Sequence, residues 1–162
     1  MNKVYLLLGS NLGDRHQSLE QATKLIGKTI GPVIRKSSFY STAPWGKGDQ
    51  PDFLNQVLVI TTKLTAEDTL CRILDLEKKM GRIRKQRYAP RTIDIDILFY
   101  NKSIISKPQL TVPHPHIAER RFVLTPLNEL SPQFIHPVFQ KNIHQLLSIC
   151  SDKLTVKKNK SR

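Results

Sequence analysis

The chain has 162 residues, 39% hydrophobic and 24% charged, which suits one domain with a sizeable core and excludes a disordered polymer. Its two cysteines, Cys71 and Cys150, have neither metal-ligand nor redox spacing, which excludes a disulfide scaffold and predicts reduced thiols. The net charge of +13 is concentrated: residues 78–91 carry seven Lys or Arg and residues 153–162 carry five, neither with an acid, while the remaining chain holds 14 basic against 13 acidic residues.

Residues 3–9 (KVYLLLG) predict a buried strand, and GSNLGD at 9–14 a strand-to-helix turn. That turn is not a P-loop, since no G-x-x-x-x-G-K-[ST] is present. Asp14 or a neighbour is the expected helix cap; Leu19, Ala22, Leu25 and Ile26 have helical spacing, and Gly27 or Gly31 is the expected stop. Residues 33–40 read as a second strand. A Pro/Gly-rich loop over 42–52 carries the only tryptophan, Trp45, and leads to Phe53 and Asn55. Aromatic rings beside an amide suit a flat heterocycle; equally, Trp45 and Phe53 could cover the core edge. Residues 55–62 predict a third strand. Thr65 is the expected N-cap of a helix with Ala66, Leu70, Ile73 and Leu74 on its apolar face, Glu77 at the solvent edge of that stripe, and Gly81 at its end.

The stretch over 82–100, RIRKQRYAPRTIDIDILFY, is the chemical centre of the sequence. Ile93, Ile95 and Ile97 alternate with Asp94 and Asp96, a period of two that predicts a strand. Both carboxylates then share a face, roughly 6–7 Å apart. They repel unless neutralised, and a divalent cation such as Mg²⁺ would do so, with arginine forks just upstream for phosphate oxygens. The alternative is a half-exposed strand with solvated aspartates. Further on, Asn101–Ser103 reads as a turn. His114 is a candidate phosphate donor, while His114 and His116 at i, i+2 lack a third metal ligand nearby; Arg120, Arg121 and Phe122 follow, then short closing helices from Leu124. The basic tail over 153–162 is expected to be solvated, disordered and dispensable, leaving one domain over 1–152.

The segment RYAPRTIDIDIL at 87–98 resembles the signature of the 6-hydroxymethyl-7,8-dihydropterin pyrophosphokinase family. GSNLGD, SSFYSTAP at 37–44, DQPDFLN at 49–55, GRIRK at 81–85 and LTVPH at 110–114 resemble its other blocks, in the family's order over about residues 3–130. The resemblance implies an α+β, ferredoxin-like fold: an antiparallel sheet with helices on one side and long active-site loops. It implies pyrophosphate transfer from ATP, the co-substrate, to the hydroxymethyl group of a reduced pterin, releasing AMP, a step of folate biosynthesis. It implies that Asp94 and Asp96 bind two Mg²⁺ ions and that Arg82 and Arg91 hold the phosphates during transfer. Arg84, Arg87, Thr111, His114 and Arg120 would be further ATP contacts, with Leu70 and Ile97 about the adenine. Phe53 and Phe122 would sandwich the pterin, Asn55 would bind it, and the backbone near Thr42, Pro44 and Trp45 would close the pocket. Tyr88, Phe53, Pro115 and Arg121 depart from the family's commoner residues at those positions.

The partners expected are therefore small molecules, with no nucleic acid and no membrane, and the protein is expected to be a cytoplasmic monomer. No apolar run reaches the ~20 residues of a membrane span or the pattern of a signal-peptide core. The rival reading is a nucleic-acid-binding module that uses the basic loop and tail. Against it, the paired aspartates would repel a phosphate backbone unless metal-bound.

Overall fold

The computed structural model describes residues 1–43, 51–81 and 92–159. Strand β1 (Asn2–Ser10) leads to helix α1 (Arg15–Thr29), strands β2 (Val33–Lys36), β3 (Phe39–Thr42) and β4 (Phe53–Thr62), and helix α2 (Ala66–Lys79). Strand β5 (Asp94–Tyr100) follows, then the hairpin of β6 (Ile105–Lys107) and β7 (Leu110–Val112). Helices α3 (Arg121–Leu130) and α4 (Ile143–Ile149) and strand β8 (Val156–Asn159) close the chain. The main sheet runs β5-β1-β4-β3-β8, with β2 also on β4, and its described pairings are antiparallel. With β2 and β3 counted as one interrupted strand, β1 to β5 form the split β-α-β pattern of a ferredoxin-like α+β fold.

The central strand β1 is apolar on both sides because both sides are covered. Leu6 and Leu8, with Leu54, Leu58, Ile60, Ile95 and Ile97, pack against Leu19, Ala22 and Ile26 of α1 and Ile73 and Leu76 of α2. Tyr5 and Leu7, with Val57, Val59, Leu98 and Phe99, pack against Val123, Leu124 and Leu127 of α3 and Ile143 and Leu146 of α4. The expected sheet with helices on one side is thus corrected to a sheet between two helical layers. A continuous apolar run is how such a doubly buried strand reads. In β5 the register with β1 shifts, from Leu6↔Ile97 to Tyr5↔Phe99. Leu98 is the extra residue, so Leu98 and Phe99 both enter the α3/α4 core.

Local signals explain most boundaries. The Asp14 carboxylate accepts from Gln17 N and the Thr65 hydroxyl from Asp68 N, capping α1 and α2 as expected. Helix α1 runs through Gly27 and ends before Gly31. A Cβ at Gly31 would lie 1.8 Å from the Thr61 carbonyl oxygen, so the chain leaving α1 can cross β4 only without a side chain there. The strand expected over 33–40 is broken into β2 and β3. Ser37 bonds to both Val57 N and Val57 O, and Ser38 N then turns to the Glu129 carboxylate, leaving the ladder. The tail expected to be disordered forms β8 over 156–159, paired with β3 from Phe39↔Asn159 to Thr42↔Val156. Its lysines alternate poorly with apolar residues, so its pairing left no pattern to read.

Two buried polar groups fasten the layers. Glu77 is only 2% exposed, not at the solvent edge, and its carboxylate accepts from Ile95 N at 2.9 Å, tying α2 to β5. His136 is 3% exposed; its Nδ1 accepts from Val138 N and Phe139 N, its ring meets Phe99 edge-on, and burial pushes its pKa down to about 4.

Glu77→Ala strands the buried Ile95 N–H and is expected to cost about 2 kcal/mol in a urea titration. An unchanged midpoint would show that this bond carries no net stability. For His136, the unfolded chain takes up a proton before the folded one, because the folded pKa lies below the ordinary 6.5. Stability is then full above that value and falls as pH drops toward 4. His136→Asn retains an acceptor but does not titrate, so its urea midpoint is expected to fall less steeply over that window; equal slopes would clear His136 of the effect.

Candidate active site

One end of the sheet, on the α3/α4 face, gathers the polar residues. Gly9 of β1 pairs with Asn55 of β4 on one side and with Asp94 of β5 on the other. Thr42, the last residue of β3, pairs with Phe53. Asp94 and Asp96 alternate with the buried Ile95 and Ile97, so the two carboxylates share the Gly9 face, and both are half-buried.

The pocket's polarity is unfinished among the described residues. Asn55 and Thr42 are each 3% exposed, yet Asn55 Nδ2 and Thr42 Oγ1 have no hydrogen-bond partner there. Buried donors without partners are rare and cost free energy, so a polar molecule that bonds them is the physical expectation. Ser10 Oγ, His16 Nε2 and Asn128 Oδ1 are likewise buried without partners. A Cβ at Gly9 would come within 2.8 Å of Asn55 Oδ1 and 3.8 Å of the Phe53 ring. The missing side chain thus leaves the space in which the Asn55 amide lies. The sequence signal is a glycine that ends the strand expected over 3–9 and opens the turn expected over 9–14, and close backbone approach is one use of such a glycine.

Next to the aspartates, His114 N donates to Leu98 O. Burial first, then the positive charge of Arg120 and His116, pushes the His114 pKa down to about 4 against the pull of Asp94. His114 is therefore neutral near pH 7 and offers one donor. The Arg120 guanidinium lies 5.8 Å from the centroid of the Phe122 ring, and Phe122 packs against the α3/α4 core. Arg120, Phe122, Phe53 and His114 are all half-buried.

Ile97 belongs to the α1/α2 core, on the face opposite the aspartates, and Leu70 packs partly buried against that core. Thr111 is exposed on the β6/β7 hairpin. Pro44, Trp45, Arg82, Arg84, Arg87, Tyr88 and Arg91 lie outside the described residues. Sequence reasoning missed Glu129 of α3, whose carboxylate accepts from Ser38 N, Ser38 Oγ and Tyr40 Oη. Burial raises the Glu129 pKa, but the bonds from Tyr40 and Ser38 and the Lys158 charge outweigh it and leave the carboxyl below its usual range; burial first, then Glu129, raises that of Tyr40. This network fixes β3, and with it Thr42, onto α3.

The donor set also bears on a cation. Among the described residues no three His, Cys, Asp or Glu side chains cluster as a metal cage. Two carboxylates on one strand face, at the same end of the sheet as Asn55, fit Mg²⁺, which keeps waters and shares substrate phosphate oxygens instead of taking an all-protein cage. Among the described residues, no helix is long and apolar enough to cross a membrane.

Known proteins resemble this chain. The family model described as 7,8-dihydro-6-hydroxymethylpterin-pyrophosphokinase matches residues 5–132. The chain is 42% identical over 136 residues to the 2-amino-4-hydroxy-6-hydroxymethyldihydropteridine pyrophosphokinase of Methylorubrum extorquens, covering 83% of this chain and 86% of that protein. It is 44% identical over 133 residues to the enzyme of the same name from Bacillus subtilis, covering 82% and 80%. Among solved structures, the Plasmodium falciparum HPPK-DHPS with pterin and p-hydroxybenzoate superposes with a TM-score of 0.75 at 21% identity. That match covers 91% of this chain and 42% of the longer protein, and it speaks to the fold. With the family model spanning most of the chain and relatives above 40% identity over nearly their full length, this chain belongs to the 7,8-dihydro-6-hydroxymethylpterin-pyrophosphokinase family.

Proposed function

We propose that the chain transfers pyrophosphate from ATP to 6-hydroxymethyl-7,8-dihydropterin, giving AMP and the pterin diphosphate, a step in folate biosynthesis. The observation that carries this reading is the pairing of Gly9 with Asn55 on one side and Asp94 on the other. It sets buried donors that have no partner among the described residues two strand spacings from a carboxylate pair.

In this reading the pterin hydroxyl oxygen attacks the β-phosphorus of ATP, the bond from that phosphorus to the oxygen bridging to the α-phosphate breaks, and the hydroxyl proton leaves to solvent. Asn55 and Thr42 bond the polar edge of the pterin, while Phe53 and Phe122 hold its ring faces. Held by Asp94 and Asp96, Mg²⁺, two ions in this reading, would neutralise triphosphate charge and acidify the attacking hydroxyl. His114 as a neutral donor and Arg120 as a cation orient phosphate oxygens, with Arg82, Arg84, Arg87 and Arg91 as further phosphate ligands and Thr111 as a further nucleotide contact. Leu70 and Ile97 border the adenine from the other face of β5. Pro44 and Trp45 close over the pterin. Such transfer needs alignment and charge stabilisation more than covalent help, and this reading assigns no dedicated general base.

The deciding assay incubates the protein with ATP, Mg²⁺ and 6-hydroxymethyl-7,8-dihydropterin and separates AMP from ADP. AMP in step with pterin diphosphate is expected, falling on the order of a hundredfold or more in folded Asp94→Ala and Asp96→Ala. ADP would mean transfer of a single phosphoryl group, and no nucleotide consumption by folded protein would return the question to oligonucleotide binding. Asn55→Ala is expected to raise the KM for the pterin about tenfold and leave that for ATP nearly unchanged. Equal effects on both substrates would remove Asn55 from the pterin subsite.

A further inference from the structure

Helix α3 starts without a cap of its own. Arg120 occupies the N-cap position and makes no side-chain capping bond. The cap comes from 31 residues downstream: Asp152 Oδ2 accepts from Arg121 N at 3.0 Å. A carboxylate there satisfies a free N–H and complements the positive end of the helix dipole. Arg121 returns the bond twice, from Nε to Asp152 O at 3.0 Å and from Nη2 to Cys150 O at 3.2 Å. Asp152 is 9% exposed. Its other oxygen accepts from Leu154 N at 2.9 Å and so turns the chain directly into β8. Strand β8 then pairs along all of β3, beginning with Val156 opposite Thr42 and ending with Asn159 opposite Phe39, while Asn159 Nδ2 donates to Ser41 Oγ.

The two ends of this strap meet the two walls of the candidate pterin pocket. Asp152 holds the first turn of α3, which carries Phe122. Strand β8 holds the far side of β3, whose last residue, Thr42, has Phe53 on its inner side. Without β8 the four-residue β3 becomes a free edge at the point where Thr42 must present its hydroxyl.

We propose that the segment from Cys150 to Asn159 is a positioning strap for the pterin subsite, with Asp152 and Val156 as its two anchoring points. It sets the spacing of Phe122 and Thr42 without touching the substrate. This inference rests on the proposed pyrophosphoryl transfer and concerns its pterin subsite first. Of the proposed nucleotide contacts, those on β5 lie at the opposite edge of the main sheet and Thr111 lies on the separate β6/β7 hairpin, neither spanned by the strap, while Arg120, at the N-cap of α3, adjoins its Asp152 end.

The test measures steady-state kinetics of full-length Val156→Pro and Asp152→Asn for both substrates, with circular dichroism to confirm folding. Proline removes an N–H from β8 and disfavours pairing, while asparagine keeps the shape of Asp152 and loses its charge. Each folded variant is expected to raise the pterin KM about tenfold, the scale of one or two misplaced hydrogen bonds; Val156→Pro leaves the ATP KM within about twofold, and Asp152→Asn, which lies beside Arg120, raises the ATP KM by clearly less than the pterin KM. If Val156→Pro does not fold, Asp152→Asn decides. A wild-type pterin KM in the folded variants, or equal losses for ATP and pterin, overturns the strap while leaving the transfer reading intact. Absence of AMP from the wild-type protein overturns both.

Discussion

The register of β1 between its two neighbours is the constraint on which the site depends. Gly9 faces Asn55 across one ladder and Asp94 across the other, so the two functional groups lie two strand spacings apart, about 10 Å. A one-residue slip of β5 would turn Asp94 and Asp96 into the α1/α2 core and Ile95 and Ile97 out of it. That slip is resisted from both faces, by Ile95 and Ile97 against α1 and α2 and by Phe99 against α3 and α4. Glu77 adds a fixed point, because its bond to Ile95 N exists in only one register. The hydrophobic effect therefore aligns the strand, and the buried carboxylate of α2 pins the residue between the two aspartates.

The sequence was most readable where a local rule decides the outcome. Asp14 and Thr65 cap helices because the cap bond spans three residues, and the Ile–Asp alternation of 93–97 forms a strand because its period allows little else. The family blocks named Asn55, Phe53, Asp94 and Asp96, which the sheet brings to one end. Readability failed where a distant partner decides. Ser37 and Ser38 look like ordinary strand residues until Glu129, some ninety positions away, takes the Ser38 N–H. Glu77 reads as an edge acid until β5 arrives to donate to it. The tail reads as solvated because four lysines and an arginine in ten residues form no core, and only β3 supplies the missing ladder.

The second helical layer has the same origin. The apolar residues of α3 and α4 show that some face is buried, but not that it is the reverse face of the sheet that α1 and α2 already cover. The Leu98 bulge makes this possible within β5: it lets the strand give Ile95 and Ile97 to one core and both Leu98 and Phe99 to the other. Composition cannot reveal such a change of phase, since the run ILFY is uniformly apolar.

Strand β8 also has a meaning for the molecule among its neighbours in a crowded solution. Among the described strands it is the last on its side of the sheet, and a terminal strand is a template on which another chain can add. Here that border carries exposed Lys157 and Lys158, so an approaching copy meets cations before it meets free backbone groups. Natural sheets guard themselves against fibrous association in this way. A charge run that contributes nothing to a core thus keeps the sheet finite, and replacing those lysines with β-branched residues would improve strand propensity while opening a route to aggregation.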